Sequence, residues 1–85
     1  MKDNMQLKET ADMMCSADYK ERFKAEYYQL KIRMTKLCNM IGKWLLGELS
    51  FTPTCPMEIY SAQVRAMAKY LKILEERARL ENVEL

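Results

Sequence analysis

Apolar side chains recur along most of this chain at alternating steps of three and four. From the first tyrosine they fall at Tyr19, Phe23, Tyr27, Leu30, Met34, Leu37, Ile41 and Trp44, the spacing of a stripe along one face of an α-helix. Asp18 followed three residues later by Glu21 resembles a capping box at its start. Gly47 supplies a left-handed stop, so the helix is expected to end around Leu46. A second series, Met57, Tyr60, Val64, Met67, Leu71, Leu74 and Ala78, keeps the same rhythm. Pro56 suits the first turn of that helix and Glu58 suits its positive end.

Between the two series lies Glu48–Pro56, ELSFTPTCP. Its prolines push Thr52 and Cys55 toward extended backbone and make the connector stiff. Two helices of about 25 residues joined this way form a helical hairpin. At the start of the chain Met5, Ala11, Met13 and Met14 fit either a short docking helix or an arm. The expected fold is all-α: an N-terminal arm or short helix over residues 1–17, then an antiparallel helical hairpin over residues 18–85.

Each long helix also carries a second apolar row. Tyr28, Ile32 and Cys38 lie off the first seam; Ile59, Ala66, Tyr70, Ile73 and Leu80 lie off the second. A hairpin hides one face of each helix internally. The spare rows therefore need another surface, most simply another copy of the chain, giving a homo-oligomer. A short N-terminal helix covering one row is the competing solution.

Composition narrows the function. Eighty-five residues make one domain at most, too thin for a deep enclosed pocket. No apolar stretch approaches the roughly 18–20 residues of a membrane span, and Met1–Ser16 lacks the pattern of a secretory signal; the expectation is a soluble, intracellular protein. Cys15, Cys38 and Cys55 have neither the count nor the spacing of a disulfide framework or a zinc site. Histidine is absent, which removes the commonest general base and points away from catalysis. No cofactor is expected.

Charge is uneven. Residues 1–18 carry two bases against four acids, residues 19–45 seven against two, and residues 46–85 five against six. The positive field of the first long helix suggests an anionic partner, against the plainer reading of a solvated face. One stripe there, Lys24, Tyr28, Lys31 and Thr35, combines base, aromatic and hydroxyl at helical spacing. A tyrosine ring can stack a nucleobase for roughly 1–3 kcal/mol while ammonium groups neutralise phosphate. Alternatively Tyr28 packs in an interface and the lysines solubilise its edge. Arg65, Lys69 and Lys72 make a weaker basic edge on the second helix. Arg77 and Arg79 complement the dipole of its last turn and are expected to pair with Glu75 and Glu76. Cys55 and the threonines of the connector are read as turn and cap residues.

Two segments carry a family resemblance. Glu26-Tyr-Tyr-Gln-Leu-Lys31 with Lys36-Leu37, and Gln63-Val-Arg-Ala-Met-Ala-Lys-Tyr70 with Leu74-Glu-Glu-Arg77, resemble small phage proteins that include the anti-CBASS sponges, which sequester cyclic oligonucleotide alarm signals. The likeness covers about residues 19–80. It implies a non-catalytic protein of the host cytoplasm, assembled into hexamers from dimers, that holds cyclic di- or trinucleotides between subunits. It further implies that Tyr27 or Tyr28 stacks on a base, that Lys31, Lys36 and Lys43 take phosphates, and that Arg65 or Lys69 belongs to a second site. The N-terminal extension and the connector have no counterpart in the family pattern. A helical adaptor or inhibitor that captures a host protein through its spare apolar faces is the alternative. Binding of polymeric DNA or RNA is the weakest reading, given the acids of the second half.

Overall fold

The computed structural model describes residues 5–85; the first four residues of the expected arm lie outside the described residues. The described chain is all-α: α1 (Leu7–Met14), α2 (Tyr19–Leu45) and α3 (Met57–Glu81). Of the two readings of the N-terminal segment, the helix is what forms. Glu9 closes its first turn by accepting from the Gln6 backbone N–H at 3.1 Å, so the capping box sits here. The expected box at Asp18 and Glu21 does not form. Asp18 caps α2 alone, accepting from the Lys20 N–H at 3.0 Å, and Glu21 turns to Lys24 at 3.6 Å instead.

The far end of α2 is closed by two backbone bonds. Gly47 N–H donates to the Trp44 carbonyl at 3.0 Å and Glu48 N–H to the Lys43 carbonyl at 2.8 Å. This double closure places Gly47 at φ 73°, a conformation that favours a residue without Cβ. α3 ends alike: Asn82 takes φ 57°, and Val83 N–H reaches the Ala78 carbonyl at 2.8 Å. That turn returns Val83 to the core.

α1 and α3 both pack on α2. Contacts between α2 and α3 run in opposite chain order. Tyr19 donates to Glu81 at 2.6 Å, Tyr27 to Glu75 at 2.7 Å, and the Trp44 and Tyr60 rings meet edge-on at 6.0 Å. The core gathers Phe23, Tyr27, Tyr28 and Leu30 of α2 with Met67, Leu71, Leu74 and Ala78 of α3, sealed by Met5 and Val83. The seam loosens toward the connector: Met34, Leu37, Ile41, Trp44, Met57, Tyr60 and Val64 are only half-buried. Among the described residues a third helix packs at one end of the α2–α3 pair and none at the connector end.

The two spare rows fare differently. Met5 joins Tyr28 in the core, with Met13 and Ile32 packed against it, so the N-terminal helix covers the upper row of α2; Cys38 stays exposed. The row on α3 stays open, with Ile59, Tyr70, Ile73 and Leu80 all exposed.

Candidate functional site

The eight residues expected to bind ligand fall into separate neighbourhoods. Tyr27 lies in the seam at 4% exposure. Its hydroxyl is spent on Glu75, and Lys31 holds its ammonium 5.8 Å from the ring centroid. Burial, reinforced by the Glu75 carboxylate, pushes the phenol up to about 12. Glu75 was expected to pair with an arginine; it takes this tyrosine instead, while Glu76 pairs with Arg79 as expected.

Tyr28 is 8% exposed and meets the Tyr27 ring edge-on at 5.3 Å. It lies at the floor of a cleft of ≈ 530 Å³ between α1, α2 and the C-terminal tail. Lys24 shares this cleft. Four carboxylates line it too: Glu9, Asp12, Glu21 and Glu84. Tyr28 shows little of its surface to this cleft, and an anion entering it meets four negative groups for one positive.

Lys36 and Lys43 are elsewhere. About 12 residues of helix separate Lys24 from Lys36, some 18 Å along the axis at 1.5 Å per residue, so the two lysines do not share one small site in a single protomer. Lys36 and Lys43 line a second hollow of ≈ 240 Å³ together with Asn39, Met40, Leu49 and Phe51. Among the described residues neither lysine makes an ion pair. Arg65 and Lys69 are exposed on α3 and likewise unpaired among the described residues. Asn39 and Phe51 were not among the expected site residues. Asn39 was legible in principle, being one turn from both Lys36 and Lys43. Phe51 was not, because nothing in a proline-rich connector says that its ring folds back toward the helix.

Further polar contacts join the helix ends, and Tyr70 of α3 donates to Glu26 of α2. Arg77 donates to Tyr19 at 2.8 Å and to Glu81 at 2.9 Å, with its guanidinium 5.0 Å from the Phe23 centroid. Beyond their dipole role, these α3 residues staple the start of α2.

The structure also sorts the charge. Residues 27–74, the connector half, carry seven bases against Glu48 and Glu58, a balance of +5. Residues 5–26 with 75–85, the α1 half, carry six bases against nine acids, a balance of −3. The molecule is 43 Å long and the screening length near physiological salt is about 8 Å, so the two poles act independently.

The described residues make a thin three-helix unit with a bare basic end and shallow grooves, the architecture of a small all-α protein. The chain belongs to the Sequestin family, whose family model matches residues 17–80. Sequestins are the phage family of anti-CBASS cyclic-nucleotide sponges, binding proteins rather than enzymes, in agreement with the motifs on the two long helices. The match takes in α2, the connector and nearly all of α3, and leaves α1 outside. No curated protein and no solved structure matches the chain. No helix of the described residues is long and apolar enough to cross a membrane.

Proposed function

We propose that this chain is a sponge of host immune signalling: a helical hairpin, assembled into a homo-oligomer, that binds cyclic di- or trinucleotides in the host cytoplasm and holds them uncleaved. The observation that carries the reading is the family match over both long helices. The basic connector half supports it, because a sponge for a cyclic phosphodiester needs positive potential and stacking surface and no general base. Shallow grooves on a chain this thin become enclosing sites when a second subunit closes them. In this reading Lys36 and Lys43 supply phosphate contacts, Arg65 and Lys69 meet the ligand from a neighbouring subunit, and the Tyr27–Tyr28 pair with Lys24 and Lys31 supports the helix behind them. A hexamer built from dimers is the assembly the family implies.

Titration calorimetry of the full chain against cyclic di-AMP, cyclic di-GMP, cyclic GMP–AMP and cyclic tri-AMP tests the proposal. Binding of at least one, with the same compound recovered after denaturation, is the expected outcome. Failure to bind any of the four would sink it.

The open row on α3, Ile59, Tyr70, Ile73 and Leu80, specifically favours a second reading, capture of a host protein. That reading predicts a stable complex with a host protein, unaffected by cyclic nucleotides.

A further inference from the structure

We infer that the hollow between the second half of α2 and the connector is a nucleotide subsite, in which Phe51 stacks on one base of the cyclic oligonucleotide. In the same subsite Lys36 and Lys43 hold the adjoining phosphates and Asn39 reads the edge of the base. The inference rests on the sponge reading and assigns that function a place and a stacking residue. Neither Tyr27 nor Tyr28, the tyrosines expected to stack, offers a free ring face, since both are buried. Phe51 is 56% exposed and lines the hollow, making no aromatic pair among the described residues.

The positive groups are spaced to match. Lys36 and Lys43 are seven residues apart, two turns or roughly 10 Å along one face of α2, and Asn39 stands between them. Its amide carries both donors and an acceptor, the combination that a base edge requires. Among the described residues no carboxylate lines the hollow, whereas four line the Tyr28 cleft. Coulombic attraction therefore draws an anionic ligand to this end and repulsion opposes the other.

Size and stiffness agree with this assignment. A space of ≈ 240 Å³ is smaller than the roughly 300–1,000 Å³ that encloses a whole drug-sized ligand, so it suits one nucleotide with the remainder of the ring projecting toward a neighbouring subunit. The connector that carries Phe51 is constrained on both sides. Before it stands the double backbone closure at Gly47; after it, Cys55 N–H donates to the Tyr60 hydroxyl at 3.4 Å and Tyr60 packs on Trp44. A ring presented from a constrained loop loses little freedom when a base lands on it.

The test is calorimetry of the full chain with the four cyclic nucleotides named above, repeated on Phe51→Ala, Phe51→Tyr, the double variant Lys36→Gln/Lys43→Gln, and Arg33→Gln. Every substituted position is outside the core, so folding is checked simply by circular dichroism. Phe51→Ala should weaken the best ligand by about 5- to 150-fold, the worth of one stacked base, and Phe51→Tyr should restore it. The lysine double variant should lose about tenfold or more, while Arg33→Gln, which removes the same kind of charge outside the hollow, should bind as the wild type does. If the wild type binds and the Phe51→Ala or the lysine variant binds equally well, the subsite is wrong and the sponge reading stands. A wild type that binds none of the four overturns both. If Phe51→Ala instead changes the oligomer mass by light scattering and leaves affinity unchanged, the hollow is a subunit contact and the assignment fails.

Discussion

Tyr27 carries a polar hydroxyl into the seam of the two long helices, where the Glu75 carboxylate accepts its hydrogen bond at 2.7 Å. The satisfied hydroxyl allows burial of a ring that sits in the core and also meets Lys31 and the Tyr28 ring. A phenol held at about 12 when folded and near 10 when unfolded links stability to pH with a definite sign. The folded state keeps its proton longer, so Tyr27 stabilises fully below about pH 10 and loses that contribution as pH rises through about 12. Urea midpoints should fall between about pH 9 and about pH 11, and fall less in Tyr27→Phe. Part of the decline remains in the variant because the hydrogen bond to Glu81 raises Tyr19 in the same direction. Equal slopes in both proteins would show that Tyr27 is not the buried phenol described.

At the scale of elements, two glycines bear on α2 in opposite ways. Gly47 occupies the left-handed position that stops the helix, and a Cβ there is strained by roughly 1–2 kcal/mol. Gly42 lies inside the helix, where a Cβ would meet nothing within 4 Å, and alanine there removes about 0.5–1 kcal/mol of backbone entropy cost. Thermal unfolding should therefore show Gly47→Ala less stable than the wild type and Gly42→Ala more stable. Matching signs would contradict the helix boundary. Both ends of α2 and the start of α3 were legible to within a residue or two, because an apolar seam, a glycine stop and a proline start each speak locally. The start of the chain was not legible, since four scattered apolar residues do not decide between docking and fraying. Nor was the fate of Tyr28, which depends on whether α1 lies across it. The candidate hollow was legible only in part: the sequence singled out Lys36 and Lys43, but that Phe51 lines the same hollow depends on the path of the connector.

As a whole the molecule has a well-covered acidic end and a bare basic end. The N-terminal segment covers Tyr28 and part of Ile32 on the spare row of α2 and leaves Cys38 exposed, which removes some of the apolar surface that had pointed to self-association. What remains is concentrated on α3, where Ile59, Ala66, Ile73 and Leu80 repeat every seven residues with Tyr70 beside them, together with Leu45, Leu46 and Phe51 at the connector end. A row of exposed apolar residues on one helix face is the kind of surface that interaction sites use. In the proposed assembly a neighbouring copy closes the shallow basic hollows. Native mass spectrometry of the full chain incubated with the four cyclic nucleotides tests this most directly. The expected spectrum shows a multimer carrying whole numbers of a cyclic nucleotide at its unaltered mass. A chain that stays monomeric, a multimer that carries no nucleotide, or a released product heavier by one water would contradict it.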